Sequence, residues 1–381
     1  MTPSIARRPE LWERPGIVLS MIVKNEAHVI ERCLASIKPV IDAWCIVDTG
    51  STDGTQDVIR KFMEDLPGEL LEEPWIDFSH NRTHALHNAA RWGDFALTID
   101  ADVRCIVAPT FDRSSFAASL DADYYQVMIR DGIHYQRNML TSTKLPFSYR
   151  GALHEFVVIP EGARDGGLVE AFHYESKFDG ARSQNHMKAI DDAATLVAAL
   201  DAGEDPDLES RYLFYLANSL RDGGELEAAV DVYRSRVAMG GWSEEVYVSY
   251  LNLGRLTHAL GGSDVEVIDT FLHAHDVLPS RAEALVSAAA VARSAGRMAT
   301  AHVLSRQAKD IRRPVDSLFL EPDVYEWRSL YEFSIAAWHV GDFGEGLRAC
   351  HRLLFEDKLP AIERESVEGN LSLYPAEAIT W

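Results

Sequence analysis

The sequence predicts an α/β domain with a mostly parallel, Rossmann-like sheet, followed by an all-α domain of helical repeats. Three observations carry this reading. The first hundred residues alternate short aliphatic runs with segments of helical periodicity. From about residue 185 only the helical pattern remains. In that second half Gly recurs at intervals of 38, 34 and 45 residues (224 to 262, 262 to 296, 296 to 341). At 381 residues the chain exceeds the size at which one core usually keeps growing, so two domains are expected, 1–184 and 185–381.

Residues 16–23 form a continuous aliphatic run, as a strand buried on both faces requires. It ends in Lys24-Asn25-Glu26, after which Val29, Ile30, Cys33, Leu34 and Ile37 mark one face of a helix that Pro39 stops. Residues 43–47 are a second strand, entering Asp48. The polar turn Thr49-Gly50-Ser51-Thr52-Asp53-Gly54-Thr55 follows, with Ser51, Thr52 or Asp53 placed to cap the next helix, whose face is Val58, Ile59, Phe62 and Met63. Residues 95–99 are another buried strand, running into Asp100. Strands alternating with helices at this spacing imply right-handed crossovers and a parallel sheet. Ligands bind beyond the carboxyl ends of such strands. In the second half, apolar segments such as Tyr212–Ala217 and Ala284–Ala289 precede each Gly, and a second helix usually follows it. Helix pairs repeating near 34 residues suggest a tetratricopeptide-like solenoid.

The formal charge is −22, which disfavours nucleic acid and acidic lipid as partners. No apolar run approaches the length of a membrane span and no secretory signal is visible, so a cytoplasmic protein is expected. Cys33, Cys45, Cys105 and Cys350 are widely spaced and form neither a zinc pattern nor a disulfide framework.

The candidate chemistry lies in Asp100-Ala101-Asp102. Two carboxylates at i and i+2 just past a buried strand can divide the work of holding a nucleotide and a hard divalent cation. The pattern alone is uninformative, because Asp121-Ala122-Asp123 and Asp205-Pro206-Asp207 repeat it. The first of these precedes a strand over 124–129 and the second lies in a polar interhelical loop. Only Asp100 and Asp102 follow a strand, level with Asp48 and with Lys24-Asn25-Glu26.

Ser20-Met21-Ile22-Val23-Lys24-Asn25-Glu26, Ile46-Val47-Asp48-Thr49-Gly50-Ser51-Thr52-Asp53-Gly54-Thr55 and Leu97-Thr98-Ile99-Asp100-Ala101-Asp102, in this order, resemble a family-two glycosyltransferase of GT-A fold. The resemblance is nearer still to bacterial members joined to tetratricopeptide repeats. Phe147-Ser148-Tyr149-Arg150-Gly151-Ala152-Leu153-His154-Glu155 and His173-Tyr174 belong to that likeness, which covers roughly residues 17–235.

The resemblance implies a nucleoside-diphosphate-sugar donor, UDP-sugar favoured, with Mn²⁺ or Mg²⁺. Ile22 and Val23 would flank the nucleoside, and Asp48 would bind a uracil-like base, although Thr49 stands where many relatives have a second Asp. Arg82 would lie near the nucleotide, Asp100 on ribose and Asp102 on the metal, with His173 near the metal or diphosphate. Lys177 and Arg182 would close over the same charge. The family inverts its sugar, so one base must take the acceptor's proton. Glu155 is the first choice and His154 the second. Two rival readings stand: a nucleotidyltransferase, and a repeat scaffold that binds nucleotide sugar without turnover. Val23-Lys24-Asn25-Glu26 lacks the glycine-rich loop that a nucleotidyltransferase uses for its triphosphate. The repeats would receive a peptide, protein or glycan acceptor, or join two copies of the chain.

Overall fold

The computed structural model describes residues 16–375, apart from 131–133, 178, 204, 316 and 357. Two compact units divide at Asp205 and Pro206. The change of sequence pattern comes earlier, at 185, because the helix Lys188–Ala202 already reads as helical while falling with the first unit.

The first unit is built on a mixed sheet. Its parallel side comprises β1 (Ile17–Val23), β2 (Ala43–Asp48), β3 (Gly68–Glu72) and β4 (Phe95–Thr98), in the order β3-β2-β1-β4. Helices α1 (Ile30–Ile37), α2 (Thr55–Phe62) and α3 (Phe78–Ala89) connect them. The alternation of β1 decides the layering. Ile17, Leu19, Met21 and Val23 pack with Ile30, Cys33, Leu34 and Ile59 of α1 and α2. Val18 on the opposite face packs with Ala43, Cys45, Leu86 and Ala89, the last two from α3. Both faces are covered, so β1 and β2 read as unbroken apolar runs.

Beyond β4 the sheet is mixed in direction, with both antiparallel and parallel pairs. Further elements are β5 (Val103–Val107), α4 (Arg113–Ala118), β6 (Tyr124–Arg130), β7 (His134–Ser142), β8 (Ser148–Arg150), β9 (Phe156–Val158), β10 (Asp165–Leu168), β11 (Phe172–Ser176) and α5 (Lys188–Ala202). The sheet continues β4-β7-β6-β11-β5, β10 pairs with β6, and β8 and β9 form a separate ribbon. The pair Asp121 and Asp123 precedes β6, at the opposite strand end from Asp100.

The polar turn after β2 reaches the head of α2 only through Asp53, whose Oδ1 accepts from the Thr55 amide at 3.0 Å. The N-cap is Gly54, with no side-chain cap bond. Ser51, Thr55 and Asp53 accept from the amides of Asn25 (2.8 Å), Glu26 (2.8 Å) and Ala27 (3.0 Å). Successive polar side chains therefore staple the loop after β1 to the loop after β2.

The second unit is all-helical: α6 (Glu209–Asp222), α7 (Leu226–Met239), α8 (Ser243–Ala259), α9 (Asp264–Val277), α10 (Glu283–Ser294), α11 (Met298–Ala308), α12 (Ser329–Val340), α13 (Phe343–Phe355) and α14 (Ala361–Leu373). Each packs on the next, as in a solenoid of helix pairs. Gly224, Gly296 and Gly341 turn the chain with positive φ between partners. The longest Gly interval arises because the link between α11 and α12 contains a further π-helical turn, Val324–Arg328.

That link is held by an internal ionic knot. Arg281 and Glu283 are both fully buried, with Arg281 Nη2 donating to Glu283 Oε1 at 2.8 Å. Arg281 Nη1 donates to Glu244 Oε2 and to the Leu318 carbonyl, each at 2.7 Å. Tyr247 and Tyr325 hydroxyls both bond Glu283 Oε2, at 3.0 and 2.9 Å. Removing one partner of a buried pair strands the other's charge. Arg281→Met should therefore destabilise the second unit by about 3–5 kcal/mol in urea unfolding. The pairing has no such weight if the change costs less than about 1 kcal/mol.

Candidate donor cleft

A cleft of about 540 Å³ opens at the carboxyl ends of the parallel strands. Ile22, Val23, Lys24, Asn25 and Glu26 supply the wall beyond β1, Thr49 that beyond β2, and Asp100, Ala101 and Asp102 that beyond β4. Trp75, Ile76 and Phe78 border it ahead of α3, and Gly180, Arg182, Lys188 and Asp191 at the start of α5.

Arg82 sits at its base, 9% exposed. Its Nη2 donates to Asp100 Oδ1 at 2.6 Å, and its Nε lies 2.7 Å from Glu155 Oε1, an ionic contact without hydrogen-bond alignment. The Tyr149 ring stands 5.8 Å from the guanidinium carbon, and the Tyr149 hydroxyl donates to Thr98 Oγ1 at 3.1 Å. Burial disfavours the charge on Arg82, but Asp100 and Glu155 outweigh it and raise its pKa. Burial likewise opposes ionised Asp100, and Arg82 prevails, holding that carboxyl below the usual range.

Two further carboxylates on the cleft, Asp102 and Glu26, are pushed upward. Burial, then the charge of Asp100, raises Asp102. Burial raises Glu26 to about 7; Asp102 and Asp100 add to this, against the Ala181 amide that bonds its carboxylate. Two acidic side chains facing one space without a paired cation are a site that favours a positive ion.

The sequence-predicted residues distribute as follows. Ile22, Val23, Arg82, Asp100 and Asp102 line the cleft. Asp48 ends β2 at 1% exposure; its Oδ2 accepts from the Gly50 and Ser51 amides and from Gln56 Nε2, while Oδ1 is buried without a partner among the described residues. Arg82, expected beside the nucleotide, spends its charge on Asp100 and Glu155. Glu155 lies behind Arg82 with its side chain 10% exposed, and neither it nor His154 is part of the cleft wall, although Ala152 and Leu153 are. His154 takes a left-handed backbone, φ 53°. His173 stands apart. It pairs in register with Ile106, well along β5 from Asp102, beside Arg130 (3.4 Å) and Glu175 (3.8 Å). Arg182 pairs with Asp192 and covers the Phe78 ring at 4.5 Å. Lys177 is exposed. Of the residues that sequence reasoning did not enlist, Glu26 is foremost. Its place at a strand end was visible, but its surroundings come from residue 181.

Residues 19–124 match the family model described as glycosyl transferase family 2. A TPR repeat-containing protein of Synechococcus elongatus is 39% identical over 92 residues, which is 24% of this chain and 21% of that protein. The SPbeta prophage-derived glycosyltransferase SunS of Bacillus subtilis is 34% identical over 94 residues, covering 24% of this chain and 21% of its own. The matched stretch thus spans about a fifth of the length of these relatives. A tetratricopeptide repeat protein from Parabacteroides merdae aligns with 50% of this chain and 70% of its own at 17% identity and a TM-score of 0.38, a likeness too slight to add to the fold described above. Among the described residues no helix is long and apolar enough to cross a membrane.

Glu26 makes a pH signature. Its carboxyl titrates near 4.5 in the unfolded chain and about 7 in the folded one. Between those values the folded state keeps a proton that the unfolded state has lost, so this group makes stability fall as pH rises from 4.5 to 7. Glu26→Gln removes the loss. In chelator-treated protein, its melting temperature minus that of the wild type should climb across this window and level off above it. A flat difference would contradict the assignment.

Proposed function

We propose that the chain is an inverting glycosyltransferase that moves a sugar from a nucleoside-diphosphate sugar, UDP-sugar favoured, to a peptide, protein or glycan acceptor. One observation carries the reading: Asp100, fixed by Arg82, and Asp102, kept apart from that guanidinium, face one cleft at the ends of the parallel strands, within the stretch that matches the glycosyl transferase family 2 model. The fixed carboxylate suits a neutral polyhydroxyl partner such as ribose. The unfixed one suits a cation.

The donor set fits a hard divalent ion such as Mn²⁺ or Mg²⁺. Asp102 and Glu26 offer carboxylate oxygens on the cleft, and such ions are commonly held by one or two carboxylates plus substrate phosphates and water. Among the described residues no three His, Cys, Asp or Glu side chains gather closely enough to cage a metal without those further oxygens. When bound, the ion would offset the charge on the departing diphosphate. Asp48 supports a base with a ring N–H, because its buried Oδ1 has no hydrogen-bond partner among the described residues. Thr49, Ile22 and Val23 would enclose that base.

Glu155 is assigned the acceptor's proton, tethered through Arg82 to the carboxylate that holds the ribose. One observation favours a second reading, in which Glu26 takes the proton: it lines the cleft and titrates near neutrality, whereas Glu155 lies behind Arg82. The helical unit would receive the acceptor on its repeat surface or join two chains.

Asp102→Ala should lower UDP-sugar hydrolysis with Mn²⁺ by about 10²–10³-fold. Unaltered hydrolysis and nucleotide binding in this variant would overturn the enzyme reading. Glu155→Gln should cut transfer by about 10²-fold or more while sparing UDP binding. If Glu26→Gln alone abolishes the acidic limb of the pH–rate profile, where a base must lose its proton to act, the proton belongs to Glu26.

A further inference from the structure

The far side of the cleft is formed by residues 179–185, and its tie to α1 runs through Asp179. Asp179 places both carboxylate oxygens on Arg32 of α1, with Nη1–Oδ2 2.7 Å and Nη2–Oδ1 2.6 Å. This is the forked geometry that fixes direction as well as distance. The same Nη2 reaches the carbonyl oxygen of Asp102 at 3.3 Å. The backbone carbonyl of Asp179 accepts from Gln184 Nε2 at 2.9 Å and lies 2.8 Å from His28 Nε2. Residue 179 is therefore held by side chain and main chain together.

What this fixes is the next two residues. Gly180 lies against Asp102 so closely that a Cβ there would meet the Asp102 carboxylate at 3.1 Å. The Ala181 amide donates to both oxygens of Glu26, at 3.2 and 3.3 Å. One guanidinium thus touches the backbone of Asp102 on one side and governs the segment covering Asp102 and Glu26 on the other. The pair is about one-third exposed, too wet for its worth to lie in stability.

We propose that Arg32 and Asp179 are positioning residues of the nucleotide-sugar site, their ion pair latching residues 179–181 over Asp102 and Glu26 so that both carboxylates face the diphosphate and its divalent cation. The inference rests on reading the cleft as a donor site. Neither residue touches the reacting atoms. They act by setting where Asp102 and Glu26 stand, and displacements of about 1 Å at such a site cost orders of magnitude in rate.

The test uses the full chain and two readouts. Binding of UDP with Mn²⁺ is followed by calorimetry, and amide exchange is followed by mass spectrometry. Arg32→Gln and Asp179→Asn should each weaken UDP binding about tenfold, and the double variant should lose no more than either, because one interaction is being removed. Arg32→Lys, which keeps the charge and loses the fork, should recover only part of the affinity. Exchange should quicken in the peptide covering 179–185 while the strands stay protected. Wild-type affinity in both single variants would overturn the latch, and so would additive losses in the double variant. If the wild type itself binds no UDP, the donor reading fails instead. Exchange at 179–185 then still decides the latch, since unchanged protection in Arg32→Gln refutes it.

Discussion

A single buried guanidinium organises the cleft. Arg82 lies between Asp100 and Glu155, two carboxylates contributed by distant stretches of chain, and the burial of Arg82 and Glu155 makes either charge costly without its partner. Its position follows from α3, whose Leu86 and Ala89 face the sheet and so direct Arg82, one turn earlier, toward the strand ends. Asp100 is thereby fixed through Oδ1, whereas Asp102, two residues on, lines the same cleft outside that ion pair. The difference between two neighbouring aspartates is thus a matter of which one the arginine reaches.

Rigidity on the opposite wall has a different origin. Ser51, Asp53 and Thr55 each hold one amide of the loop after β1, while the Asn25 side chain accepts from the Thr52 amide in return. The two loops move as one body, and Glu26 belongs to it. Arg32 and Asp179 supply the third support, so Glu26 and Asp102 are fixed from β1, β4 and the segment after β11.

Much of this was legible in the sequence, for identifiable reasons. β1, β2 and β4 are buried on both faces and announce themselves as apolar runs. Asp100 and Asp102 could be separated from their two decoys because only they follow such a strand. β3 lies at the sheet edge with half-buried Gly68–Glu72, and leaves no comparable trace. The strands from β5 onward pair in mixed directions, with a register shift in β6, and their pairing depends on partners far along the chain. The same holds for side chains. Nothing near Arg82 signals that it meets Glu155, and nothing near Ser51 signals that it serves the loop at residue 25 rather than the helix that follows it. Residue types and strand ends are local facts, whereas ion pairs are decided by topology.

The knot around Arg281 alters how the helical unit responds to load. A solenoid held only by neighbouring repeats yields one repeat at a time. Here Arg281 joins α8, α10 and the link before α12 through Glu244, Glu283 and the Leu318 carbonyl. Helices α12, α13 and α14 share a core of their own, and the link ahead of them meets the earlier helices at Leu318 and Tyr325. That link can part from α8 and α10 only by uncovering Arg281 and Glu283, so the boundary between these repeats is pinned by charge as well as by packing.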